Sequence, residues 1–314
     1  MLDFLLVSSR SKKDALEIYP KFIVRKSQDL MIRGRDFYAV WDEEHNLWST
    51  DEETAKMLID RELDKVAAEK QKIFEGHIKV LHMWDSDSGS IERWHRYVQK
   101  QMRDNFSPLD EHLTFANTKT KKTDYASKRL SYSLEAGSFS AWDELVGTLY
   151  SPEEREKIEW VIGSIVSGAS RTLQKFMVMY GDPGTGKSTI INVIEKLFKG
   201  YTSIFDAKIL GSANASFALE PFKTNPLVAI QHDGDLSKIE DNTRLNSIAS
   251  HETMSVNIKF ANMYEQRFQC FMIMGTNKPV KITDAKSGIM RRLIDVTPSG
   301  KKLSRRRYDH RSAV

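Results

Sequence analysis

Apolar residues recur along this chain with two periods, and the switch between them marks its elements. From Arg35 to Thr50 the chain alternates through Phe37-Tyr38-Ala39-Val40-Trp41, turns over Asp42-Glu43-Glu44-His45-Asn46 and resumes at Leu47-Trp48, which predicts a β-hairpin. Ser49 and Glu52 then have capping-box spacing, and Ala55, Leu58, Ile59, Leu63 and Val66 line one side of a helix. The hairpin aromatics can fill the core of a small domain or stack on bases, and alternation alone leaves both open. A second helix sets Ile91, Trp94, Val98 and Met102 opposite Arg93, Arg96, Lys100 and Arg103, as a solvated basic face or as a contact for phosphates. Together these elements predict a small N-terminal α+β/helical module over residues 1–140.

Past that module the rhythm changes. Ser151-Pro152-Glu153-Glu154 opens a helix, with proline at its first position, and Ile158, Val161, Ile162 and Ile165 form its apolar side. A domain boundary is therefore expected within 135–150. Short apolar runs too brief for helices follow at Phe176–Tyr180, Tyr201–Phe205, Leu227–Gln231 and Phe268–Met274, and each predicts a strand. Between them Ile190–Phe198 and Asp241–Ala249 have helical spacing, while Met254, Val256, Ile258 and Phe260 alternate with Ser255, Asn257 and Lys259. A last apolar strand follows Arg291-Arg292.

The chemistry concentrates where the first of those strands meets its helix, at Gly181-Asp182-Pro183-Gly184-Thr185-Gly186-Lys187-Ser188-Thr189. Strand, Gly-x-x-x-x-Gly-Lys-Ser and helix in that order are what a phosphate-binding P-loop requires. The glycines let successive N–H groups converge on one anion, and the helix start adds its positive dipole end. Lys187 then reaches the β- and γ-phosphates and the Ser188 hydroxyl ligates Mg²⁺. A structural glycine turn explains neither the Lys-Ser pair nor its offset from Gly181.

A Mg²⁺-nucleotide site also needs carboxylates opposite the loop, and Asp233 and Asp235 end the strand from Leu227. Asp233 is assigned to the metal; which of the two binds it and which polarises water stays open, since no glutamate accompanies them. His232 reads as a structural neighbour. The Asn277 amide, at the end of the strand from Phe268, can hold a γ-phosphate or the attacking water, or can simply make a turn. Arg291 and Arg292 can present a guanidinium to a neighbouring subunit's γ-phosphate. Asp85 and Asp87 offer a weaker metal reading against a turn, and Lys119 to Arg129 reads as an exposed basic loop.

Composition narrows the classes. With 314 residues, 40% hydrophobic and 29% charged, the chain has the makeup of a soluble globular protein of about two domains. A net charge of +4 permits a nucleic-acid partner without requiring one. No run approaches membrane-spanning length, and the single cysteine, Cys270, excludes an intrachain disulfide and points to a reducing, cytoplasmic setting. Residues 301–314 form a basic tail.

Taken in order, these stations resemble the superfamily 3 helicases of viruses, phages and plasmids, especially the helicase part of phage and poxvirus primase-helicases. Gly181 to Ser188 stands as motif A, Ile230-Gln231-His232-Asp233-Gly234-Asp235 as motif B, Met254 to Phe260 as the hairpin motif and Met274-Gly275-Thr276-Asn277 as motif C. The likeness covers roughly Ser151 to Gly300 and departs at motif B, where the carboxylates are spaced Asp-Gly-Asp instead of adjacent.

The resemblance implies an α/β, P-loop NTPase (AAA+-like) domain over 141–300, with a parallel sheet flanked by helices. It implies ATP and Mg²⁺ as ligands, and a hexameric ring with ATP sites between subunits and Arg291-Arg292 at the finger position. Lys259 would grip single-stranded DNA without reading its sequence. Replication proteins would be further partners, in the host-cell cytoplasm if a phage encodes the chain. A C-terminal helical part usual in the family is nearly absent, so a truncated chain is expected. Two other readings remain: a P-loop kinase, and a loading subunit that binds nucleotide and DNA without unwinding.

Overall fold

A computed structural model describes residues 2–13, 15–24, 27–33, 37–82, 90–102, 109–212, 215–235, 241–257, 264–278 and 288–301. The chain divides into two units, Met1–Ser133 and Leu134–Val314. Among the described residues no helix is long and apolar enough to cross a membrane.

The first unit runs β1 (Leu5–Lys12), β2 (Ala15–Phe22), β3 (Leu30–Arg33), β4 (Phe37–Asp42), β5 (Leu47–Ser49), α1 (Glu52–Gln71), β6 (His77–Val80) and α2 (Ser90–Met102). β1 pairs antiparallel with β2, and β6 adds parallel to β2. A second sheet has the order β3-β4-β5. Phe4, Leu5 and Ile18 pack with Leu58, Ile59 and Leu63 of α1 and with Trp94 and Val98 of α2 in one core. Helical spacing therefore identified the buried side of both helices.

β1, β2 and β6 are not apparent from the sequence. The outer end of β1 is polar on both faces, which erases alternation, and Pro20 interrupts β2. Pro20 is tolerated because β6 pairs only with Ala15–Ile18, so its missing N–H falls beyond that ladder.

The β4–β5 hairpin forms as expected, and its tryptophans are buried. Trp41 and Trp48 meet edge to face at 5.8 Å, and the Trp48 indole N–H donates to the Lys122 carbonyl at 2.9 Å. That geometry makes them core. The α1 cap lies beyond the predicted position: the Asp51 carboxylate accepts the Glu53 amide at 3.1 Å, while Ser49 belongs to β5. The basic stretch from Lys119 to Arg129 is anchored to its own unit. The Lys122 ammonium meets the buried Asp29 carboxylate, and Arg129 donates to Thr120 Oγ1 at 2.9 Å.

The second unit runs α3 (Ser140–Leu149), α4 (Pro152–Val166), β7 (Phe176–Tyr180), α5 (Lys187–Leu197), β8 (Thr202–Ile204), α6 (Ala207–Leu210), β9 (Val228–Gln231), α7 (Thr243–Ala249), β10 (Thr253–Val256), β11 (Tyr264–Arg267), β12 (Phe271–Thr276), α8 (Ile289–Arg292) and β13 (Leu293–Val296). Ser151 caps α4 as expected, its hydroxyl accepting the Glu154 amide at 3.3 Å. Five strands form one parallel sheet in the order β13-β7-β12-β9-β8. β7, β9 and β12 are buried almost throughout, the pattern of a parallel sheet covered by helices on both faces. β12 comes late in sequence yet lies between β7 and β9, in register with both. β10 and β11 form a separate antiparallel pair. Cys270 is buried just before β12, and burial pushes its thiol up to about 12, which leaves it inert.

Candidate functional site

β7, β12 and β9 run parallel, so their carboxyl ends face the same way, and Lys187, Ser188, Asp233, Asp235 and Asn277 each follow one of them. The chain leaves β7 at Tyr180, turns through Gly181–Gly186 and enters α5 at Lys187. Gly184 and Gly186 have φ of 78° and 93°, values that L side chains adopt only with strain. A β-carbon at Gly186 would also stand 2.6 Å from Leu149 Cδ1, so glycine lets the loop lie against the end of α3. The Thr185 hydroxyl donates to the Asp182 carbonyl at 2.7 Å and braces the loop.

Lys187 is buried at 6% exposure. Its ammonium donates to the carbonyls of Gly181 at 2.6 Å and Asp182 at 2.9 Å. Burial lowers its pKa, and the charges of Asp233 and Asp182 pull the other way. A cation held on uncharged carbonyls is under-compensated, and an anionic ligand would satisfy it better.

Beside this loop Asp233 and Asn277 follow β9 and β12. Asn277 Nδ2 approaches Asp233 Oδ1 at 3.5 Å. A cleft of about 480 Å³ is lined by Leu149, Lys187, Ser188, His232, Asp233 and Asn277, together with the loop. Ser188 and Asp233 thus share the cleft with the lysine. One hydroxyl and one carboxylate suit Mg²⁺, which usually takes one or two carboxylates and leaves its other positions to phosphate and water. Among the described residues no cluster of three or more His, Cys, Asp or Glu side chains offers a fuller metal cage.

Asp235 stands apart from this group. Its carboxylate pairs with Lys278 Nζ at 2.7 Å, and it is not among the residues that line the cleft. Lys278 is a partner that the sequence reading missed, although it directly follows Asn277. His232 lines the cleft with its Nε2 3.0 Å from Glu195 Oε2 on α5, a link from β9 to the helix after the loop.

The two arginines are divided. Arg292 is 7% exposed, its Nε donating to Ser250 Oγ at 2.8 Å and its NH1 to the Gly288 carbonyl at 2.9 Å. Burial, then the neighbouring Arg291 charge, lowers its pKa. Committed to those two oxygens, its guanidinium is a structural tie. Arg291 is exposed, so any charge offered to a neighbour comes from that residue. Lys259, Asp85, Asp87 and all of the basic tail except Lys301 lie outside the described residues.

A family model described as a family of unknown function (DUF5906) matches residues 179–292, from the end of β7 through α8. No curated protein resembles the sequence at a significant level. Among solved structures, the apo structure of the NrS-1 C-terminal region (305–718) aligns with 58% of this chain and 44% of that one, at 20% identity and a TM-score of 0.44. An A-form apo structure of that region covers the same shares at 19% identity and a TM-score of 0.42. A further A-form apo structure covers 67% of this chain and 52% of the other, at 17% identity and a TM-score of 0.44. The chain thus spans about half the length of the solved chains it matches.

Proposed function

We propose that the second unit is a P-loop ATPase of the AAA+-like class, and that it powers a helicase or translocase for phage or plasmid DNA replication. What supports the reading is the convergence of Lys187, Ser188, Asp233 and Asn277 on one cleft at the carboxyl ends of three adjacent parallel strands. Open α/β sheets bind ligands at such ends.

In this reading the loop amides and the start of α5 receive the phosphates of ATP, and Lys187 exchanges two carbonyls for phosphate oxygens. Ser188 and Asp233 would hold Mg²⁺, which would supply positive charge against the negative charge of the phosphates. The Asn277 amide holds the γ-phosphate or the attacking water, Asp233 is the carboxylate within reach of both, and Asp235, paired with Lys278, stays outside the cleft. Arg291 offers its charge to the site of the next subunit in a hexameric ring. Lys259, between β10 and β11 in sequence, contacts the phosphates of single-stranded DNA.

The test is the Mg-ATP hydrolysis rate with and without an oligothymidylate, alongside mass by light scattering, for wild type and Lys187→Ala. The expected result is turnover stimulated by single strands, an assembly of several chains, and loss of turnover in the variant. A folded protein indifferent to Mg-ATP ends the reading.

The ion pair between Asp235 and Lys278 favours a second reading, a DNA-loading subunit that binds nucleotide to assemble and turns it over negligibly. Lys187→Ala would then abolish assembly with no rate to lose.

A further inference from the structure

The sheet β1-β2-β6 covers its core with one face only. Leu5, Val7, Ile18, Ile78 and Val80 point inward, and the register puts the alternate residues on the open face. There Arg10 stands opposite Glu17, Glu17 opposite Lys79, and Tyr19 lies between Arg10 and Lys21. The Arg10 guanidinium carbon is 5.3 Å from the centre of the Tyr19 ring and the Lys21 ammonium 5.8 Å. Arg10, Lys12, Lys21 and Lys79 are exposed, and among the described residues of these strands the carboxylate on this face is that of Glu17, which is 6% exposed.

We propose that this open face is a docking surface for single-stranded nucleic acid, with Tyr19 as the stacking platform for a base and Arg10, Lys12, Lys21 and Lys79 as contacts for the phosphates.

An ordinary solvated face intersperses charges of both signs, whereas here the acid is buried and the cations are exposed. Glu17 lies under Arg10 and Lys12, accepting from Arg10 Nε at 2.7 Å and from Lys12 Nζ at 3.5 Å, and so holds two flexible side chains upright at the surface. Among the described residues one carboxylate faces four positive charges, an excess of three that fits a polyanion. Lys79 has no ion pair among the described residues. A partly exposed tyrosine amid cations combines the two elements of sequence-tolerant single-strand binding, an aromatic face and a phosphate track. Stacking a base on Tyr19 displaces an exposed cation–π contact, the weaker of the two interactions. Duplex DNA keeps its bases stacked internally and cannot use the ring. The surface belongs wholly to the first unit and does not depend on nucleotide binding by the second.

The experiment uses the full chain without nucleotide. A fluorescein-labelled single strand of about 12 nucleotides carrying bromodeoxyuridine, or bromouridine in an RNA arm, is crosslinked by ultraviolet light and the attached peptide is mapped. The peptide containing Tyr19 is expected. By anisotropy, Tyr19→Ala should weaken single-strand binding about tenfold and duplex binding much less. Lys21→Glu/Lys79→Glu should weaken both and flatten the single-strand salt dependence by about 1.4 units of log K per log salt, about 0.7 for each lysine. Melting curves monitor the fold, and Mg-ATP hydrolysis without DNA should be unchanged in these variants, which separates failure here from failure of the ATPase reading. Crosslinks confined to Leu134–Val314, or unchanged affinity in the double variant, overturn the proposal. So does loss on charge reversal with none for Tyr19→Ala, which describes a surface for any polyanion, acidic proteins included.

Discussion

Gly275 and Gly234 join the ends of β12 and β9: the Gly234 amide donates to the Gly275 carbonyl at 2.8 Å. A β-carbon on Gly275 would run into the His232 carbonyl oxygen and approach Ile191 Cδ1 at 2.9 Å. The two strand ends carry Asn277 and Asp233, so their spacing depends on a missing methyl group.

Gly275→Ala should therefore cost about 1–3 kcal/mol of stability through backbone displacement, and weaken Mg-ATP binding by moving Asn277 away from Asp233. Gly137→Ala, where nothing lies within 4 Å, is the control and should leave both unchanged. Denaturant melts and nucleotide titrations measure the pair.

Lys187→Met should separate stability from binding. Removing a desolvated ammonium that is hydrogen-bonded to two carbonyls, its burial outweighing the attraction of Asp233 and Asp182, should leave the melting temperature of the empty protein unchanged or raised. Wild type at a hundredfold excess of Mg-ATP over its Kd should gain about 2.7 kcal/mol, and the variant none. Thermal shifts with and without nucleotide decide it.

The adjacent arginines should give opposite phenotypes. Arg292→Ala deprives Ser250 and the Gly288 carbonyl of a charged donor and should cost about 2 kcal/mol. Arg291→Ala should melt like wild type; if it reaches a neighbour's nucleotide, its subunits mixed into wild type should depress turnover beyond dilution. Depression no greater than dilution removes Arg291 from the shared site.

His45 sits 2.7 Å from Asp42 through Nδ1, and that bond raises its pKa above the ordinary 6.5. For Asp42, burial acts to raise the pKa, but bonds from the His45 ring and from the Glu44 and His45 amides bring it below 3.8. The histidine's contribution is complete below 6.5 and disappears as pH rises through its higher folded value; the aspartate's is complete above 3.8 and disappears on acidification below it. The melting-temperature gap between wild type and His45→Gln should thus be wider near pH 5.5 than near pH 8.5. An equal gap at both contradicts the pairing.

The parallel sheet was readable because its strands are buried on both faces: runs such as Phe176–Met179 and Phe271–Met274 remain apolar wherever they are read. The turn between β7 and α5 was readable because its glycines stand at fixed spacing before Lys187, and Gly184 and Gly186 do take positive φ. Strand order was not, since nothing local states that β12 inserts between β7 and β9. The fate of Arg292 was equally hidden, because its partners Ser250 and Gly288 are set by tertiary packing. β1 and β2 escaped notice because their open face is polar and their hairpin outruns the core, which left the Tyr19 surface visible only in three dimensions.

The Lys187 ammonium already rests on two oxygens of its own loop. If ATP binds as proposed, its entry is therefore a handover of that ammonium from two carbonyl acceptors to phosphate oxygens. Calorimetry should record a modest heat at this contact, with much of the binding energy arising where the remaining phosphate oxygens meet backbone amides.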